Sequence, residues 1–593
     1  MTWWQRMSWL GVAGLAVVGL CCSARQKIGE SAFETFWRDD QGESITALQQ
    51  RLSGVALAPP SAVAVGVTGE GLTAISLDSR THWQSAGPVQ GRPVVAGNLV
   101  IATTGDQLVA LDAASGQRRW SIPTEGTRLR GAGSDGQLTA LSLAVGSGSV
   151  LLAVDSAGQV LQRIDTEHAL GVPAVKGGVA FVPFQNQYVS AVDLRSGDEL
   201  ARLLMRERVT QAVNIDGGLY FGQMGLVRFD EQIGKASVNQ ATRVGLPGRQ
   251  LPGSPVWLTN GAQVPPTGAS AYDRIRVYAR PAIIGDALGI DSGRFVATYF
   301  HVVMGFDSTD ASLHWVRTLP EEVLGGAAAE GGFAVCDRNG HVWLLAAQTG
   351  GKADKLSLGK KLIACVVSAG DLVVPAAPGS GKFAEQLGVA LKLDDTRMDA
   401  AQQFLLQEVA RLREPIATKI LVDVASNPRT SESLLGPTRR LLAQRRSGAT
   451  YMLQALQRHY DFLSDVLRPP PVGPLADALS AMGERRAAPL LARHLNDPAN
   501  TMDDVKRTAR ALVKLATSSE YEQLLTFFSL YRATADSDEL LDATIDVARA
   551  MMDVGGVEGR GVVQRASTDP LTRPEVRKAI IDELGQRRRT RKG

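Results

Sequence analysis

The sequence predicts a β-propeller of seven blades, with eight as the alternative, followed by an α-helical solenoid. Three observations carry this. A motif built on an Asp, a Gly and often a Trp returns at spacings near 38 residues through the middle of the chain. Between its copies lie short β-branched runs separated by Gly-containing turns, which is hairpin chemistry. From about residue 394 those turns thin out and apolar residues take up helical spacing.

Composition narrows the class. The chain has 593 residues, 44% hydrophobic and 21% charged, with a net charge of +3. That length holds several modules. The balance excludes a wholly disordered chain, and four cysteines are too few for a disulfide scaffold. Near-neutral charge lacks the basic footprint of a nucleic-acid binder. The 61 glycines call for a turn-rich architecture.

Residues 1–22 read as an export signal. Arg6 is followed by an uncharged apolar run over 9–20, too short to span a bilayer and of signal-peptide length. It ends in Val18-Gly19-Leu20-Cys21-Cys22-Ser23, which resembles a bacterial lipobox. Cys21 and Cys22 are the candidate lipidation sites. Leu20 or Cys21 stands where Gly or Ala is usual, so cleavage after Ala24 and an uncleaved anchor stay open. Neither candidate Cys is followed by Asp, which in lipoproteins favours the outer membrane. Residues 23–54 are expected as a linker.

The propeller is expected over 55–380. Its best repeat is Ala110-Leu111-Asp112-Ala113-Ala114-Ser115-Gly116-Gln117-Arg118-Arg119-Trp120. The Asp position recurs at Asp78, Asp155, Asp193, Asp230 and Asp307, with Ala346 in its place in the last copy. Successive steps are 34, 43, 38, 37, 77 and 39 residues. The 77 is two repeats or one with an insertion. The Asp can accept backbone N–H bonds in the turn it opens, and the Gly supplies a left-handed position. The Trp is large enough to fill the gap between neighbouring blades. Ring closure is expected from two strands at the start (63–67 and 72–77) joined by two at the end (362–367 and 371–374).

These residues resemble the quinoprotein-type, PQQ-like propeller repeat, Ala-x-Asp-x-x-Ser/Thr-Gly-x-x-x-Trp. Within that family the chain looks most like the BamB-type propeller lipoproteins of the outer-membrane barrel-assembly machinery. The export signal, the repeat type and the lack of enzyme residues support this. The resemblance implies a non-catalytic protein-binding scaffold facing the periplasm. The helical region departs from that family's layout and suggests an additional partner.

Residues 394–593 are expected as a helical repeat domain. Val505, Ala509, Leu512, Val513 and Ala516 fall on one helical face, with Lys506, Arg507, Arg510 and Lys514 outside it. Before them, 489–498 reads as a short helix opened by Pro489 and closed by Asp497-Pro498. The pair resembles a HEAT-type repeat, a solenoid whose surfaces hold partners.

No catalytic, cofactor or metal set is expected. Quinoprotein dehydrogenases use an adjacent-cysteine disulfide beside quinone and calcium. Here the adjacent pair, Cys21-Cys22, belongs to the export signal. Pro378-Gly379-Ser380-Gly381-Lys382 lacks the outer Gly and the Ser or Thr of a phosphate loop, with Ala376 and Phe383 in those places. The seven histidines are scattered without ligand spacing. Cys336 and Cys365 fall on strands of neighbouring repeats, as packing thiols or as an inter-blade disulfide.

Two features are candidates for partner binding. The Pro- and Gly-rich insertion 244–278 carries Leu251, Trp257 and Leu258, and its other reading is packing on its own blade. The basic tail carries Arg587, Arg588 and Arg589 and suits an acidic surface or a solvated end. The expected function is a scaffold in outer-membrane protein assembly, attached to the membrane by lipid and not bound to nucleic acid. The alternatives are a scaffold of a secretion, motility or polysaccharide complex, and a quinone-dependent oxidoreductase.

Overall fold

Residues 89–123 show how the repeat becomes a sheet. Strands Val89–Ala96, Leu99–Thr104, Gln107–Asp112 and Arg118–Pro123 pair in chain order, all antiparallel. Gly97, Gly105 and Gly116 take positive φ at the three turns, where a Cβ is unfavourable. Val100, Ile101 and Ala102 are buried on both faces of the second strand. Both faces of such a sheet are therefore covered by neighbouring sheets, which the repeat supplies.

The protein is described by a computed structural model covering Phe33 and residues 41–57, 59–206, 208–215, 217–222, 225–229, 243–245, 256–257, 276–284, 287–457 and 469–590. It divides into two units, Met1–Phe383 and Ala384–Gly593. The first unit is a β-propeller. Its described residues form six four-stranded sheets, one five-stranded sheet and one two-stranded hairpin. The innermost strands of successive sheets lie side by side: Ala364–Ser368 beside Val89–Ala96, then Arg128–Ser134, Ala174–Lys176 and Gln211–Ile215. The 77-residue step between Asp230 and Asp307 holds four strands of the five-stranded sheet and the separate hairpin Pro281–Ile284 with Ala287–Ile290.

Closure joins the two ends of the propeller, with a different division of strands from the one expected. Val63–Val67, Gly71–Ser76 and His82–Ala86 supply three strands, and Ala364–Ser368 alone supplies the inner one. The closing register runs from Val63↔Ser368 to Val67↔Ala364. Residues 371–374 make only an isolated bridge, Glu330↔Val373. Gly370, at φ +52°, turns the chain there, and a Cβ on it would lie 2.2 Å from Pro60 O.

The stretch expected as a linker contains the helix Gln41–Leu52. Leu48 and Leu52 are 2% and 0% exposed, packed with Phe181, Ala201, Leu203 and Phe229. The helix lies against the outer strand Glu199–Leu204. Phe33 packs edge-on against Phe184, ring centroids 5.3 Å apart.

The second unit is helical from its start, and its first helix, Phe383–Leu391, precedes the expected boundary. Helices Asp399–Arg411, Glu432–Ala443, Val472–Met482, Met502–Leu515, Asp538–Val554 and Pro574–Thr590 pack one on the next. Pro415–Ser426, Ala449–Gln457, Ala488–Leu495 and Tyr521–Thr534 form a second row. Val505, Ala509 and Leu512 are buried as the helical spacing requires, and Leu515 joins them. Ala516 is the C-cap. Buried Asp504 accepts from Thr501 Oγ1 (2.9 Å), the Gly473 N–H (2.9 Å) and Arg439 Nη2 (2.5 Å), tying three helices of the first row together.

Candidate interaction surface

Strand alternation assigns every turn to one of two faces of the ring. With the first strand innermost, second-to-third turns and sheet-to-sheet connections share one face. First-to-second and third-to-fourth turns share the other.

The second face carries the motif aspartates, and Asp112, Asp155, Asp193 and Asp307 are each used by their own turn. Asp112 accepts from the Ala114 and Ser115 N–H groups (3.2 and 3.0 Å), Ser115 Oγ (2.9 Å) and Arg119 Nη2 (2.7 Å). Asp155 accepts from Ala157 and Gln159 N–H at 2.9 and 2.8 Å. Asp193 accepts from Arg195 and Ser196 N–H, and from Arg51 of the N-terminal helix at 2.6 Å. Asp307 accepts from Thr309 N–H at 2.8 Å and from Arg294.

Partial burial opposes ionisation of Asp112 and Asp193. Hydrogen bonds from Arg119 and Ser115, and from Arg51 and Ser196, outweigh it and hold both carboxyls below their usual range. The Thr309 N–H, foremost, does the same for Asp307. These carboxylates are turn staples, satisfied locally.

The motif tryptophans are equally committed to packing. Trp83 donates its indole N–H to Ala113 O of the next sheet at 2.9 Å. It lies against Gly116, where a Cβ would fall 2.7 Å from Trp83 Cδ2. Gln162 takes this place in a sheet without the Trp, donating to Arg195 O at 2.8 Å beside Gly197. Among the described residues, no group of three or more His, Cys, Asp or Glu could hold a metal ion.

The first face has exposed apolar residues at its turns. Ile363, 68% exposed, precedes the closing strand and donates its N–H to Val67 O at 2.8 Å. Val145, 38% exposed, ends the second strand of another sheet. Lys360 Nζ meets Glu70 at 2.5 Å, linking a sheet-to-sheet connection to a second-to-third turn. The outer strands carry Arg118, Arg119, Arg163, Lys352 and Lys355, charges that discourage another chain from pairing along the rim.

One outer strand differs. Glu199–Leu204 buries three residues in a row, including Arg202, which grips Glu199 through two bonds of 2.9 and 2.8 Å. Both side chains are 2% exposed, and the Arg202 guanidinium lies 5.5 Å from the Phe184 ring centroid. Sequence reading did not single out this pair or the helix beside it. Ile45, Leu48 and Leu52 at helical spacing were the available signal.

Of the candidate residues, Cys21, Cys22, Leu251 and Leu258 lie outside the described residues. Val256–Trp257 forms a two-residue strand parallel to Arg276–Tyr278, at the edge of the five-stranded sheet. Arg587, Arg588 and Arg589 belong to the helix Pro574–Thr590. Arg587 pairs with Asp553 (2.5 Å) and Glu583 (2.9 Å), which, Asp553 foremost, push its pKa up. No helix among the described residues is long and apolar enough to cross a membrane.

Residues 32–240 match the family described as outer membrane protein assembly factor BamB. Solved structures similar to part of the chain include BamB from Moraxella catarrhalis, at 15% identity and a TM-score of 0.30, covering 52% of this chain and 86% of that one. The dihydro-heme d1 dehydrogenase NirN, in complex with DHE, is 14% identical with a TM-score of 0.30, covering 51% and 64%. The Cps50 (Swd1) β-propeller domain of Myceliophteria thermophila is 11% identical with a TM-score of 0.30, covering 48% and 93%. No curated protein matches the chain.

Proposed function

We propose that this chain is a non-catalytic scaffold of the bacterial envelope with a role in outer-membrane protein assembly, docking through the first face of its propeller. One observation carries the reading. Asp112, Asp155, Asp193 and Asp307 and the repeat's tryptophans are engaged in turns and sheet packing, while Ile363 and Val145 stand exposed on the opposite turns, against the single exposed Val373 among the described residues of the aspartates' own face. The family match over 32–240 supports assembly as the setting. Charged outer strands favour docking by loops over strand addition.

In this reading the segment 1–22 exports the chain, and Cys21 or Cys22 carries the lipid that holds it at the outer membrane. The helical unit is a HEAT-like solenoid offering a surface to a second partner.

The test is a strain lacking the chain. Its outer membrane should hold less folded β-barrel protein, restored by the wild-type chain and not by Ile363→Asp. Unchanged barrel content would count against the assembly role. The enzymatic rival is tested separately: purified chain given quinone and calcium should reduce no electron-accepting dye above the rate without protein.

A further inference from the structure

The strand that closes the propeller carries Cys365. Cys336 lies in Gly332–Asp337, the second strand of the neighbouring sheet. Their exposures are 1% and 0%, and they share one apolar cluster with Ala334, Val342 and Val367. The strand Val323–Ala329 runs between them, and Gly325 stands opposite Cys336 in its register. A Cβ on Gly325 would lie 2.3 Å from Cys365 O. The missing side chain lets the closing strand, at Cys365, approach the residue that stands opposite Cys336.

The closing strand Ala364–Ser368 also approaches Gly332–Asp337 directly. Burial first, and then Cys365, push the Cys336 thiol well above its usual range. Each Sγ is otherwise directed at a backbone carbonyl, Cys336 at Asp337 O (3.8 Å) and Cys365 at Val366 O (3.9 Å).

We propose that Cys336 and Cys365 form a disulfide site that locks the closing strand to the adjacent sheet. The oxidant is a second disulfide, of a small molecule or an oxidoreductase. The two thiols lose two protons and two electrons, an S–S bond forms, and the oxidant is reduced to two thiols. Thiols this buried are unreactive, so the bond forms while the chain folds, before the ring shuts. It fastens the sheet that, among the described residues, joins strands from distant parts of the chain. It stands independently of the partner proposed above.

The test refolds the full chain from denaturant with a mixture of oxidised and reduced glutathione. The product is denatured, capped with N-ethylmaleimide and cut with trypsin without reduction. Cys336 lies in peptide 318–338, Cys365 in 362–382, and Cys21 with Cys22 in 7–25, so the pairs are resolved. The expected result is 318–338 linked to 362–382, both released by reductant. Reduction should also lower the propeller's Tm, on the order of 5 °C. That shift should vanish in the Cys336→Ala, Cys365→Ala double variant. Recovery of the two peptides unlinked and capped, or each carrying glutathione, would overturn the proposal.

Discussion

Trp315 is held between two glycines, Gly305 on its own sheet and Gly350 on the next. A Cβ on Gly305 would lie 2.0 Å from Trp315 Cε2, and one on Gly350 would lie 2.3 Å from Trp315 Cε3. The indole N–H donates to Ala347 O at 2.8 Å, and the side chain is 2% exposed. Trp120 also lies against a glycine of the next sheet, Gly158, through its Cβ and Cγ. The recurring Gly and Trp are thus two halves of one contact, made by consecutive repeats.

Gly350→Ala should therefore destabilise the propeller twice over. Its φ of +63° disfavours any Cβ, and the indole occupies the space. Together these cost about 2–4 kcal/mol. Trp315→Ala should cost about 3–5 kcal/mol. Because the residues touch, the double variant should be less destabilised than the sum. Urea unfolding of the three variants measures this.

The turn carboxylates set the acid limit of the propeller. Asp112, Asp193 and Asp307 have folded pKa values below the unfolded value, so their contribution is present above about pH 4 and is lost as pH falls through the lower folded values. Tm should stay level from neutral pH to about pH 5 and fall below about pH 4. Asp112→Asn should flatten that fall. Thermal scans across pH read both.

The N-terminal helix is held by its apolar contacts more than by its ion pair. Arg51 is 36% exposed and Asp193 14%, so Arg51→Ala should cost under about 1 kcal/mol. Leu52, fully buried, should cost about 2–5 kcal/mol as Leu52→Ala. Limited trypsin digestion should cut near residue 51 sooner in the leucine variant than in the wild type.

Asp504 joins helices 432–443, 472–482 and 502–515 with one carboxylate. Asp504→Ala strands the Gly473 N–H and Arg439 together, and should cost the helical unit about 1.5–3 kcal/mol. Helical circular dichroism on heating should show the loss in the helical transition.

The repeat was legible because its residues act locally or at a fixed offset. An Asp that caps its own turn and a Trp that meets the next turn's Gly leave a periodic trace. Helix 502–515 was legible because one face is apolar. The division of the closing sheet was less so: 371–374 has strand-like residues, but the chain turns at Gly370 against Pro60 and the segment bridges Glu330 of the neighbouring sheet instead. The Arg202–Glu199 pair left no trace, since charged residues on an outer strand ordinarily face solvent and the Phe184 ring beside Arg202 comes from another strand. The candidate face depends on which turns share a side of the ring, a property of topology that no single stretch records.

Photo-crosslinking from the two faces tests the scaffold reading most directly. A photoreactive residue replaces Ile363 on the first face, or Gln117 on the second, in the full chain within cells. The account predicts that position 363 crosslinks to the outer-membrane barrel-assembly core and that position 117 does not. No such product from 363, or equal products from both positions, would contradict it.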